Sequence, residues 1–314
     1  MSVLFLFGAG ASYGSENDTT NIPKLGVDLF QALRDRFPLT WGTLDLKYGD
    51  LFRKDFEKGM DLVLERHPKE VSELQRSMAE YFFNFIPSSD SLYIRLIKRL
   101  GIKNVSFSSL NYDRLLEESI IRSGYHPNYT SDQTKEKEVG VCLPHGGCNL
   151  FLKGLNIPPG SLSFTYAEDV FDSTEIDIIR DYEQFKIELK SRALPPIMAC
   201  FNSKKTSAVG RKFLEIQARG FEEMVLSSGL IVIVGVNVRE HDRHIWSPLT
   251  ETKAKLAYCS GRNGAKDFNL WNKKCRVEKK DQIFQGYFVD HFEEICEEVE
   301  SFLRNMNLTQ VNYN

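Results

Sequence analysis

The chain of 314 residues has no Cys-x-x-Cys pair, no apolar run long enough to cross a bilayer, and no strong charge of either sign. Each absence removes a class of protein. The six cysteines, Cys142, Cys148, Cys200, Cys259, Cys275 and Cys296, are scattered, which excludes a zinc ribbon. Several lie in apolar runs, as buried free thiols do, and this usage points to a reducing, cytoplasmic compartment. A membrane helix needs ~18 consecutive apolar residues, and no segment approaches that. The apolar start from Met1 to Phe7 is too short for a signal h-region and has no basic n-region. A net charge of −3 gives no general attraction to nucleic acid or to an anionic membrane, so neither is an expected partner. The basic stretch from Lys253 to Lys280 has only Phe268 and Trp271 as interleaved aromatics and reads as a solvated face. There is no Walker A run, no internal repeat and no low-complexity segment.

What is present is ordinary for a globular protein: 42% hydrophobic and 26% charged residues, enough for one large domain with insertions. Residues 2–7, 105–108, 139–143, 196–201 and 230–234 read as buried strands, with weaker strands at 255–259 and 283–288. Between them lie helical patterns at 25–36, 112–122 and 210–227. A last helix carries an i, i+3, i+4, i+7 stripe of Phe292, Ile295, Cys296, Val299 and Phe302. Apolar strands alternating with helices predict an α/β fold, a doubly wound parallel Rossmann-like sheet. The expected organisation is a single domain over 1–306. It carries a helical insertion at about 38–100, an irregular insertion at about 149–192 with a turn at Pro158-Pro159-Gly160, and a loose tail at 307–314.

Ligands of such sheets bind beyond the carboxyl ends of the strands. Four motifs follow predicted strands there. Gly8-Ala9-Gly10-Ala11-Ser12-Tyr13-Gly14 is a glycine-rich turn of the kind that lets a pyrophosphate approach the backbone. It is not Gly-x-Gly-x-x-Gly, and no acidic strand end follows about 20 residues later, which argues against a dehydrogenase. Gly10-Ala11-Ser12-Tyr13-Gly14 also matches a nucleophile elbow. The nine residues before Gly10 leave no room for the earlier strand and loop that an α/β-hydrolase needs. Ser109-Leu110-Asn111-Tyr112-Asp113 offers an Asn-x-Asp pair, or else only a helix start. Leu143-Pro144-His145-Gly146-Gly147 offers a histidine before two glycines, or else only a satisfied core histidine. The segment from Gly235 to Trp246 contains Asn237, a candidate phosphate or ribose contact, and Asp242, a ligand contact or the cap of the next helix. His241, Asp242 and His244 fit no familiar zinc spacing, so no metal is expected.

These four motifs, in this order and with Ile22-Pro23 after the first, resemble the sirtuin-like family of NAD-consuming domains. Lys24-Leu25-Gly26 stands where protein deacylases of that family carry Asp-Phe-Arg. The four-cysteine zinc module is missing, and no peptide-holding strand is recognisable. The pattern is closer to bacterial sirtuin-like NADases of anti-phage defence. The resemblance implies NAD as substrate, without a metal. Gly8, Ala9, Gly10 and Ser12 would bind the phosphates, and Asn111 would orient water at the reacting ribose. Asp113 would contact the nicotinamide carboxamide and His145 would accept a proton. Gly235 and Asn237 would line the adenosine side, and Asp242 would be a further NAD contact. An NAD-destroying enzyme must be gated, so a homo-oligomer or a separately encoded activating protein is expected. The helical insertion and the acidic last helix are the suspected contact surfaces. A NAD-dependent deacylase and a non-catalytic NAD or ADP-ribose sensor are the competing readings.

Overall fold

The first strand, β1 (Ser2–Phe7), sets the architecture. Val3, Phe5 and Phe7 pack into one hydrophobic cluster and Leu4 and Leu6 into another, and all five are fully buried. A strand buried on both faces requires helices on both sides of its sheet. The computed structural model describes residues 2–17, 21–130, 135–154, 157, 170–173, 175–199, 207–239, 241–277 and 280–311. In it β1 pairs in parallel with β2 (Val105–Ser109) on one side and with β7 (Ser228–Val234) on the other. Beyond β2 lie β4 (Glu138–Cys142) and β3 (His126–Asn128); beyond β7 lie β8 (Lys255–Ser260) and β9 (Gln282–Gln285). The order is β3-β4-β2-β1-β7-β8-β9, with every pairing parallel. This is an α/β, Rossmann-like sheet.

The winding direction reverses at β1. The chain adds β2, then the edge strand β3, then β4 between them, and later returns to place β7 on the opposite side of β1. The helices that follow β1 and β7 therefore pack on opposite faces of the sheet, an arrangement at which such sheets open a crevice.

Between β1 and β2 the described chain is helical: α1 (Ala9–Tyr13), α2 (Gly26–Arg36), α3 (Gly49–Lys54), α4 (Phe56–Arg66), α5 (Val71–Phe83) and α6 (Leu92–Leu100). These helices hold their own aromatic centre. Phe30 stacks on Phe52 with ring centroids 4.2 Å apart, and the fully buried Trp41 donates from Nε1 to the Leu74 carbonyl at 2.9 Å. Each such ring contributes roughly 2–3 kcal/mol by burial. After β2 comes α7 (Leu115–Arg122). On the second face α9 (Arg211–Ser227), α10 (Arg243–Glu251) and α11 (Arg262–Cys275) cover Leu4, Leu6, Ile231 and Ile233. The last helix, α12 (Phe292–Val311), packs on β1, β7 and α6. Its acidic side is partly satisfied inside the chain, because Arg95 of α6 reaches Glu293 at 3.3 Å and Arg99 reaches Glu300 at 2.7 Å.

Three sequence expectations need correction. The stretch at 149–192 is not simply irregular. It contains β5 (Leu150–Leu152), paired antiparallel with β6 (Ile176–Ile178), and α8 (Tyr182–Ser191). Leu150, Phe151 and Leu152 are buried in the core, and Asp181 starts the helix by accepting from the Gln184 amide at 2.8 Å. The turn expected at Pro158-Pro159-Gly160 lies outside the described residues. Residues 196–199 form no strand; Met198 makes an isolated bridge to Gly146, since Pro195 and Pro196 have no N–H to give a ladder. Residues 200 and 201 lie outside the description. The tail expected to be loose from 307 continues as helix to Val311, with no glycine or proline to stop it, and 312–314 are not described. Among the described residues no helix is long and apolar enough to cross a membrane.

Candidate functional site

The carboxyl ends of the central strands open into a cleft of about 850 Å³. Gly8, Ala9 and Gly10 after β1, Asn111 and Asp113 after β2, His145 after β4, and Gly235, Asn237 and Asp242 after β7 all line it. Of the residues given a ligand-binding or catalytic role in the sequence, Ser12 alone does not; it sits behind the wall, 1% exposed.

The glycine turn is held by backbone packing. Gly8 N–H donates to Val234 O at 2.9 Å and Gly10 N–H to Gly235 O at 3.1 Å. Gly235 has φ +65, and a Cβ there would lie 2.3 Å from Ala11 N and 2.5 Å from Gly10 C. The loops after β1 and β7 can touch only because this position has no side chain. Two of the amides expected to cradle a phosphate are thus spent on β7, while Ala9 N–H has no acceptor among the described residues. The helix that follows, α1, has only five residues, so its dipole contributes little.

Asn111 is not a helix cap. The N-cap of α7 is Arg114, and Asn111 precedes it in a bend. Its Nδ2 donates both hydrogens, to Gly8 O at 3.0 Å and to Ser12 Oγ at 2.9 Å. Oδ1 takes no hydrogen bond from a described residue, so Asn111 offers the cleft an acceptor in a fixed orientation. Ser12 Oγ accepts from Asn111, donates to Asp113 Oδ1 at 3.2 Å, and lies 3.1 Å from Tyr93 Oη. Asp113 Oδ1 also accepts from Leu115 N–H at 3.0 Å, which ties the motif to the start of α7. Burial raises the Asp113 carboxyl to about 6, against the opposing pull of these hydrogen bonds. Burial likewise pushes Tyr93 well up, which keeps the phenol a neutral donor.

His145 is fixed by residues far away in sequence. Ala199 N–H donates to its carbonyl at 2.8 Å, and Gly147 N–H donates to Ile197 O at 3.0 Å. Gly146 has φ +76, and a Cβ there would lie 2.2 Å from Ile197 O. The His145 ring is buried, and its Nε2 faces His244 Nε2 at 3.0 Å, so one ring donates and the other accepts. Asp242 occupies the N-cap position of α10 but makes no side-chain capping bond. Its carboxylate lies with the nitrogens of His145 and His244, all within 4.8 Å of one another.

The helical insertion closes the other wall. Arg239 pairs with Asp55 at 3.5 Å and His241 pairs with Glu57, which joins the loop after β7 to the start of α4. Sequence reading missed His244 as a partner of His145, and Tyr93 and Glu57 altogether. Tyr93 carries no signal because it sits among apolar residues of an amphipathic helix. His244 groups in sequence only with its neighbours His241 and Asp242. Neither a protein-family model nor a curated protein sequence matches this chain.

Proposed function

We propose that the chain is a NAD hydrolase that cleaves the nicotinamide–ribose bond to give nicotinamide and ADP-ribose. The observation that carries this reading is the fixed Asn111 carboxamide, with its acceptor presented in the same cleft as His145 and the Gly8–Gly10 turn. The cleft volume lies toward the upper end of the ~300–1,000 Å³ typical of small-molecule sites, as a dinucleotide requires.

In this mechanism the pyrophosphate lies along the turn, where Ala9 N–H serves one oxygen. The C–N bond to the pyridinium breaks, its electron pair moves to the ring nitrogen, and nicotinamide leaves neutral. Asp113 faces the carboxamide of the leaving group. Asn111 Oδ1 accepts a hydrogen from the attacking water, whose oxygen bonds to the ribose carbon. When His145 donates from Nε2 to His244, its Nδ1 is unprotonated and takes the proton that the water loses. Gly235 and Asn237 line the adenosine side. Fixing water and sugar together supplies much of the acceleration. Such activity must be held in check in a cell, and we assign that gating to assembly with further copies or a separately encoded partner, in a role as an effector that depletes NAD during anti-phage defence.

The test is purified protein incubated with NAD, alone and with lysate from phage-infected cells, following nicotinamide by chromatography. Release is expected to vanish in Asn111→Ala while the thermal unfolding of the variant stays cooperative. Undiminished release by that variant would remove Asn111 from the mechanism, and saturable NAD binding without release would favour a sensor.

A further inference from the structure

We propose that His145, Asp242 and His244 form a binding site for one divalent ion of the zinc class, and that filling it disables the cleft. The three side chains come from the loop after β4 and from the head of α10, and their nitrogen and oxygen atoms lie within 4.8 Å of one another. The two Nε2 atoms are 3.0 Å apart. With Zn–N bonds of ~2.05 Å, a right-angle pair of ligands is separated by ~2.9 Å and a tetrahedral pair by ~3.3 Å, so the observed spacing suits two ligands of one ion. Asp242 supports this independently. At a helix N-cap an aspartate ordinarily accepts from the backbone of the first turn, and this one does not. Its carboxylate is placed with the histidines instead.

Two imidazoles and one carboxylate are a donor set for zinc, cobalt or nickel and not for calcium or magnesium, which take oxygen. Three protein ligands leave a fourth position for water or for a group of the substrate. Asp242 also belongs to a second cluster with Glu57 and His241. There His241 is exposed and already bonded to Glu57, so the ion is assigned to the better buried set.

Binding changes the chemistry of His145. An ion on both Nε2 atoms displaces the proton held between the rings, and the ring that gave it up stays neutral by taking a proton from solvent on Nδ1. Each neutral ring then carries its single proton on Nδ1, and His145 Nδ1 can no longer accept one. This consequence rests on the NAD-hydrolase reading; the ion site does not.

The experiment uses the full chain, stripped with chelator and dialysed against Zn²⁺, with bound metal counted by mass spectrometry. Co²⁺ is used in parallel for its visible absorption. One equivalent is expected, with the visible bands of a low-coordinate cobalt site. His244→Gln, which changes a half-buried side chain, is expected to weaken binding by about a hundredfold or more. Asp242→Asn is expected to weaken it too, and His291→Gln, which lies elsewhere, to leave it unchanged. Absence of binding, or equal binding by His244→Gln and the unaltered chain, would overturn the site. In the same preparations Zn²⁺ is expected to suppress nicotinamide release and chelator to restore it. Zinc bound at this site with release unaffected would overturn the inhibition. A chain that binds zinc but never releases nicotinamide would refute the hydrolase reading and leave the metal site standing.

Discussion

Glu117 lies in the first turn of α7, immediately after the Asn111–Asp113 bend, and it is the most quantitative probe of how that bend is held. The residue is 6% exposed, and Oε2 has no hydrogen-bond partner among the described residues. Arg114, the nearest cation in sequence, is committed to Glu118 at 2.9 Å and to the carbonyls of Phe83 and Arg180. Burial therefore dominates and raises the Glu117 carboxyl from 4.5 to about 8, with Asp113 adding repulsion. Because the folded value lies above the unfolded one, the native state holds the proton more tightly. The stability this confers is fully present below 4.5 and is lost as the pH climbs through 8. At 1.36 kcal/mol per unit, the loss amounts to about 1 kcal/mol near pH 5 and about 3 kcal/mol near pH 7. Glu117→Gln has no proton to lose. Its stability relative to the unaltered chain should therefore rise by about 2 kcal/mol over that interval, whatever fixed cost the amide brings. Urea unfolding followed by circular dichroism at several pH values measures this difference. Parallel pH profiles for the two proteins would refute the claim that Glu117 is buried uncharged beneath the site.

Two further substitutions probe the wall of the cleft. Gly235→Ala places a methyl 2.3 Å from Ala11 N at a φ of +65, and is expected to cost about 3 kcal/mol or more. A melting temperature within a degree of the parent would show that the two loops are not in backbone contact. Ser12→Ala removes the hydroxyl shared by Asn111, Asp113 and Tyr93, and is expected to cost about 1–3 kcal/mol in stability. If Asn111 then loses its orientation, kcat for NAD falls by about a hundredfold while NAD binding changes much less. A variant that loses affinity and keeps kcat would return Ser12 to the phosphate-binding role suggested by its place in the sequence.

The cleft is built from elements of unequal kind. The sheet ends contribute Gly8 and Gly235 through backbone geometry and Asn111 through its carboxamide. The wall made by the helical insertion meets the loop after β7 through Arg239–Asp55, between partly exposed side chains, and through His241–Glu57, where Glu57 is buried. A partly exposed ion pair such as Arg239–Asp55 contributes little to stability, so it holds this side of the cleft only weakly. The suspected contact surface on the last helix is changed by the same reasoning. Arg95 and Arg99 pair with Glu293 and Glu300, Lys255 pairs with Glu298 and His291 with Glu294, so most acidic residues of that helix already have partners within the chain.

The fold class was legible in the sequence because a strand's identity is a local property. Residues 3–7 and 230–234 are apolar at every position of a short run, a pattern that a doubly covered parallel strand needs, and both became central strands. The convergence of Gly8, Asn111, His145 and Gly235 was also legible, since each follows such a strand and all carboxyl ends of a parallel sheet point the same way. Side-chain partnership was not. Ser12 reads as a ligand contact from its place in a glycine turn, yet the turn's rotation puts its hydroxyl behind the wall against Tyr93, a residue contributed by a helix 81 positions later. His145 and His244 meet across 99 positions, so no spacing rule could pair them, and the same distance hid the ligand set they complete with Asp242. Sequence periodicity determined which segments are strands and helices and at which end of the sheet the polar loops emerge. Only the tertiary structure decided which atoms of those loops face one another, because that depends on strand order and loop rotation, which neighbours in sequence do not encode.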